Sequence, residues 1–187
     1  MTLFVVLLTF VIGERIVELL IAKRNEKILK RQGAFEAGED HYKWIVLLHL
    51  LFIVTLTCEV VLLHKRPTTW SWAPLSVFLL AQLARYWAIR SLGVFWNTKI
   101  IILPGARIVA KGPYRYLRHP NYLIVSVEIL TLPLIFHAYF TAIVFTLLNT
   151  IMLIGVRIPD EEKALGQATN YRDVMGRRRR FIPKRPE

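Results

Sequence analysis

A single cysteine, Cys58, stands in the whole chain, so there is neither a disulfide framework nor a thiolate metal cluster. The histidines His41, His49, His64 and His137 show no metal-ligand spacing. No G-x-G-x-x-G turn follows a strand, which removes the cradle that soluble folds offer a dinucleotide-type cofactor. No repeat or inverted half is visible, and that weighs against a secondary transporter. Acids are few, 13 against 25 Lys and Arg, for a net charge of +12. Polar sequence is also scarce: of 187 residues 55% are hydrophobic and 12% aromatic, and the mean hydropathy is +0.42. That is too apolar for a soluble domain of this length and points to a small all-α integral membrane protein.

Four apolar stretches approach or exceed the roughly 20 residues that cross a hydrocarbon core. They are Leu3 to Ala22, Trp44 to Leu63, Trp72 to Leu92 and Tyr122 to Val156. The last is too long for one crossing and contains Leu132-Pro133 and then His137-Ala138-Tyr139, where it is split into a hairpin. About five transmembrane helices result. The first run has no basic leader or A-x-A-like cleavage site and continues into AKRNEKILKRQG, so it reads as a retained anchor.

A charge of this size suits nucleic acid or anionic lipid, and placement decides between them. Residues 23 to 43 hold six basic residues, 85 to 121 seven and 157 to 187 nine. With alternating helices 22 of the 25 fall on one side, which puts the N-terminus outside and the C-terminus in the cytoplasm. Basic residues that track a membrane face rather than a folded module argue for membrane lipids as partners and against nucleic acid.

The connections carry their own signals. GAFEAGEDHYK, residues 33 to 43, reads as a loop, and RPTTWSWAP, 66 to 74, as a short outer turn with Trp70 and Trp72 at headgroup depth. Residues 93 to 118 form the longest link, and IIILPGARIVAKGPY within it favours extended strands and turns. Cys58 reads as a packing residue of the second span.

Two clusters carry potential chemistry. In RHPNYLIV, 118 to 125, Pro120 keeps His119 out of α geometry and opens a helix whose free N–H groups face Arg118 and His119, a site for an anion. The competing reading makes Arg118 and His119 snorkelling residues and Tyr114, Tyr116 and Tyr122 an aromatic belt. In RIPDEEKAL, 157 to 165, Arg157 and Glu161 share a helical face with Glu162 beside them, either as a solvated face or as a buried anion site. Both clusters end one helical hairpin at the same depth and can face one pocket.

KGPYRYLRHPNYLIV, followed by RIPDEEKAL, Tyr171 and a basic tail, resembles the isoprenylcysteine carboxyl methyltransferase family, most closely its short bacterial members. The resemblance covers roughly residues 75 to 187. It implies one membrane domain over 1–187, with 1–74 as anchor helices and 75–187 as catalytic core, in a bacterial cytoplasmic membrane. It also implies S-adenosyl-L-methionine as cofactor, held on the cytoplasmic side by Ala106, Arg107, Ile108, Val109, Tyr114, His119, Pro120, Asn121, Tyr122 and Glu161. Arg157 would bind the acceptor, and Glu161 and Glu162 would position it or act as base. A glutamine that eukaryotic members use upstream has no counterpart; Lys99 falls near that point. The implied acceptor is a prenylated cysteine carboxylate or a long-chain alkylpyrone or alkylresorcinol hydroxyl.

Two other classes stay open. A scaffold would grip anionic lipid through RRRR, 177 to 180, with Lys184 and Arg185. A small ion-coupled transporter would use Glu14, Glu18, Glu59 and Glu128. Glu14 and Glu18, on one helical face with Arg15 nearby, are expected to pair between helices, and Glu128, about 9 Å beyond Tyr122 along its helix, is placed to border the acceptor channel.

Overall fold

The computed structural model describes residues 1–182. The chain is predominantly helical, and each of the apolar stretches forms a helix. α1 (Thr2–Arg31) is longer than its apolar part, running about 45 Å at the helical rise before Gly33, at φ 92°, turns the chain. α2 (Glu39–Leu62) starts five residues ahead of the expected Trp44, because Gly38 adopts φ 65° and lets the helix begin beside its acidic first turn.

Between them lies a correction to the loop expected over 33 to 43. Phe35–Ala37 forms β1, antiparallel to β2 (Ile100–Ile102), with Glu36 opposite Ile101. The partner is far off in sequence, so no local pattern announces it. Of the extended segment expected from Ile100 onward, only β2 becomes a strand. Gly105, at φ 72°, turns the chain, Ala106 to Ala110 run as coil, and Gly112–Arg115 forms a 3-10 turn.

α3 (Trp72–Leu92) has the bounds expected of the third span, so the outer turn ends before it, short of Pro74, and holds a 3-10 segment at Thr69–Ser71. Pro120 occupies the first position of α4 (Pro120–Ile135), and His119 before it is non-helical at φ −126°, ψ 57°. The long apolar run breaks at Phe136 to Ala138, where His137 takes φ 57°. α5 (Tyr139–Met152) then passes through a π turn, Leu153–Arg157, into α6 (Ile158–Ala168), and α7 (Tyr171–Met175) is the last helix among the described residues.

Among the described residues, two helices are long and apolar enough to cross a membrane by length and composition alone, Glu39–Leu62 and the continuous Tyr139–Ala168. In the latter the apolar part ends at Val156, and α6, with Asp160, Glu161, Glu162 and Lys163, lies beyond it. α1 and α3 fall short because Glu14, Arg15, Glu18, Gln82 and Arg85 dilute their apolar runs.

α3 lies along α4, α4 along α5, and α2 along α5. Phe52 meets Phe145 edge to face at 5.5 Å within a core that also holds Phe78, Leu132 and Ile135. α1 is fastened at both ends. Phe4 packs edge to face on Phe136 at 5.1 Å, and at the other end Asn25 donates to the carbonyls of Gly93 (3.1 Å) and Trp96 (2.8 Å). The helices alternate in direction, so the C-terminal ends of α1, α3 and α5 meet the N-terminal ends of α2 and α4 around the 93–118 link. This is the polar end; the turn at 136–138, where Thr68 bonds His137, is the far end.

Candidate active site

A cavity of about 420 Å³ runs from the polar end into the bundle. Its polar wall holds Ala106, Arg107, Ile108, Val109, Tyr114, His119, Asn121, Tyr122, Arg157 and Glu161, while Phe52, Phe78, Ile129 and Leu132 line its inner part. Ten of the residues singled out in the sequence thus face one space. Pro120 and Glu162 do not line it: Pro120 is buried at the start of α4, and Glu162 is turned toward its cationic neighbours.

Arg157 closes the π turn, and its side chain is carried into the protein at 4% exposure. The direct pairing expected between Arg157 and Glu161 does not form. Arg157 Nε donates to the Tyr122 hydroxyl at 3.1 Å, that hydroxyl donates to the Glu161 carboxylate, and Arg157 Nη2 donates to the Thr98 carbonyl at 2.8 Å. Tyr122 is therefore the intermediary between cation and acid, because α4 runs alongside the α5–α6 junction. Arg157 Nη1 is buried with no partner among the described residues. A guanidinium N–H left over beside a cavity is a ready anion donor.

His119 stacks on Tyr122 at 5.4 Å and is buried. Its Nε2 lies 3.0 Å from Glu162, and because a carboxylate only accepts, that nitrogen carries the proton. Glu162 also accepts from Arg180 at 3.1 and 2.6 Å and lies 3.4 Å from Arg118. Burial alone would raise the Glu162 carboxyl; the hydrogen bonds from His119 and Arg180 outweigh it and hold the group at about 2. Tyr114 and Tyr171 are pushed the other way by burial and then by neighbouring glutamates, so both stay protonated.

The basic tail, expected as a free lipid grip, is partly tied down. Arg118 N donates to Arg179 O at 3.1 Å and Arg118 Nε to Arg178 O at 2.6 Å, and Arg180 holds Glu162. Arg177 and Arg179 are exposed, and Lys184 and Arg185 lie outside the described residues. Lys99 bonds Glu36 at 2.9 Å and lies 3.5 Å from Glu26, which raises its pKa.

The acids within the apolar helices are mostly spoken for. Glu18 and Glu128 meet Arg15 (2.5 and 2.6 Å) and Arg85 (Nη1 to Glu18 at 3.1 Å, Nε to Glu128 at 2.7 Å), linking α1, α3 and α4. All four line the cavity, so Glu128 does border it. Glu59 accepts from the backbone N–H of Thr141 at 2.9 Å and its hydroxyl at 2.7 Å, capping α5. Glu14, expected to pair between helices, instead leaves one oxygen buried without a partner among the described residues. Cys58 is exposed on α2 rather than packed. Periodicity pointed to neither the Tyr122 bridge nor the Arg15–Glu128 pair, since both join residues of different helices.

The polar wall suits a ligand that mixes donors, acceptors and charge. Besides Arg157 Nη1, the Trp96 indole N–H, the Tyr114 hydroxyl and Asn121 Oδ1 are buried there without a partner among the described residues. Unsatisfied buried groups of both kinds in one wall are what a polar cofactor would complete.

The match of the chain to a family of methyltransferases gives the class of such a site. The chain belongs to the isoprenylcysteine carboxyl methyltransferase (ICMT) family, whose sequence pattern matches residues 73–167. It is 45% identical over 163 residues to the uncharacterized protein YpbQ of Bacillus subtilis (strain 168), a match covering 87% of this chain and 96% of the relative. It is 29% identical over 156 residues to an uncharacterized Haemophilus influenzae protein, covering 83% and 90% of the two chains. Neither relative's name states an activity. The matched region contains every residue of the polar wall from Ala106 to Glu161.

Proposed function

We propose that the chain is an integral-membrane O-methyltransferase that uses S-adenosyl-L-methionine to methylate an acidic oxygen of a lipophilic acceptor. The observation that carries this reading is a single cavity in which a polar wall with unsatisfied donors, centred on Arg157, continues into an apolar interior. In this reading all five apolar helices span the membrane, with the N-terminus outside and the polar end in the cytoplasm, as the placement of 22 of 25 basic residues favours.

Residues 106–109, Tyr114, His119, Asn121 and Glu161 would hold the cofactor, with Pro120 shaping the turn that presents them. When bound, S-adenosyl-L-methionine supplies an electrophilic methyl group on a sulfonium. Arg157 fixes the acceptor oxyanion through Nη1, while Tyr122 and Thr98 hold the guanidinium still, so orientation and fixed charge do most of the work. An acceptor that arrives ionised needs no base. Glu161, whose carboxylate faces the same space, takes the proton from one that does not. Glu162 positions His119 from outside the cavity. The acceptor is a prenylcysteine-type carboxylate or the enolic or phenolic hydroxyl of a long-chain alkylpyrone or alkylresorcinol, reached from the bilayer.

Calorimetric binding of S-adenosylhomocysteine to the detergent-purified protein tests the reading. Saturable binding that is lost in His119→Ala and largely kept in Arg157→Ala, with methyl transfer lost in both, is the expected result. No binding to a folded wild-type protein would overturn it.

A further inference from the structure

Tyr42, in the first turn of α2, lines the cavity although it lies among the residues expected only to anchor the chain. Its neighbourhood is the corner occupied by Arg157. Thr98 joins the two: its carbonyl accepts from Arg157 Nη2 at 2.8 Å, and its hydroxyl lies 3.3 Å from the Tyr42 hydroxyl. Tyr42 thus stands beside the guanidinium whose Nη1 has no partner among the described residues.

Three ties fix the start of α2 at this corner. β1, which leads into α2, pairs with β2, and the two residues ahead of β2 are Thr98 and Lys99. Gly38 packs on the His41 ring so closely that any Cβ there would collide with Cε1. His41 Nδ1 lies 3.3 Å from Asp160, on the helix that follows Arg157. The residue after His41 is therefore registered against the link and against α6 at once.

The surroundings leave the Tyr42 proton uncommitted. Its contact with Thr98 is long for two hydroxyls, which ordinarily close to about 2.7–2.8 Å, and Thr98 can itself be the donor there. Tyr122 differs, since its proton is given to Glu161. Lys99 Nζ stands 5.6 Å from the centre of the Tyr42 ring but is engaged by Glu36 and Glu26, so of the two cations beside Thr98 it is Arg157 that keeps free N–H groups. A phenol O–H next to such a guanidinium makes a seat with two kinds of donor for an oxyanion. We propose that Tyr42 is an acceptor-binding residue, donating its phenolic hydrogen to the same oxyanion that Arg157 Nη1 holds. This rests on the reading that the acceptor carries an acidic oxygen, and it gives α2 a part in the chemistry. The proton stays on Tyr42 throughout. Methylation neutralises the oxygen, so the product loses the charge that both donors recognise.

The test is calorimetric binding of two pairs of probes to the full-length, detergent-purified protein. One pair is a long-chain 4-hydroxypyrone and its 4-methoxy ether, the other an N-acetyl-S-farnesylcysteine and its methyl ester. Tyr42→Phe removes the hydroxyl alone, and Tyr86→Phe, 62% exposed on α3 and away from the cavity, is the control. In at least one pair wild type and the control should prefer the anion, and Tyr42→Phe should lower that preference about tenfold or more by weakening the anion. Binding of the neutral probe and of S-adenosylhomocysteine should stay unchanged, a split that loss of packing would not produce. A preference kept in Tyr42→Phe, a loss shared by anion and neutral form, or no preference in wild type for either pair overturns the contact. A wild type that shows the Tyr42-dependent preference but neither binds S-adenosylhomocysteine nor transfers a methyl group would instead overturn the methyltransferase reading and leave the contact standing.

Discussion

Replacing Glu162 by glutamine removes one negative charge from a knot that ties α6 to the RHP turn and to the tail. The carboxyl is held at about 2 against an ordinary 4.5, and each unit of such a shift corresponds to about 1.4 kcal/mol. Arg180, one of its partners, is 41% exposed along its side chain, so solvent screening trims the total to about 2–3 kcal/mol. For a chain of this size that is a loss of roughly 5–10 °C in Tm. Because the folded-state value lies below the unfolded one, the stabilisation is present above about pH 4.5 and is withdrawn as the pH falls toward 2. Thermal unfolding of wild type and Glu162→Gln in detergent should therefore show a constant gap between about pH 7 and pH 5 that closes below about pH 4. A gap that is missing at neutral pH, or that persists undiminished to about pH 3, would refute the reasoning.

Arg85→Leu leaves Glu18 and Glu128 with Arg15 alone, and should destabilise by about 3–5 kcal/mol; Arg85→Leu/Glu128→Leu should recover most of it in the same unfolding assay. Glu59→Ala uncaps α5 and should cost about 1–2 kcal/mol in thermal unfolding while leaving S-adenosylhomocysteine binding unaltered. A Glu59 variant that unfolds like wild type but abolishes an ion flux in vesicles would favour the transport alternative.

Hydropathy located the helices well because each is set by its own residues. The non-helical His119 follows from Pro120 acting on the residue before it, whereas Pro133 lies inside α4 and the break comes beyond it, where His137 takes a positive φ. What escaped the sequence depends on meetings between distant segments. β1 needs Ile100–Ile102 to exist as a strand, and the partner of Arg157 is a tyrosine 35 residues upstream rather than the glutamate one turn on. The two clusters were identified as facing one pocket because both end the same hairpin. The part taken by α1 and α2 in its wall was not, since their apolar faces look alike whether they meet lipid or cavity.

The β1–β2 pair also imposes an order of events in biosynthesis. β1 leaves the ribosome with α1 and α2 and must wait, its edge unpaired, until the third helix and then Ile100–Ile102 have been made. The link that follows is closed later still, when Gly105 N bonds the carbonyl of Ala168 at 2.8 Å and Asn170 reaches Ile108. A nascent chain thus inserts its helices long before it owns a reaction chamber, and a product that stops short of Ala168 would populate the membrane without ever becoming competent.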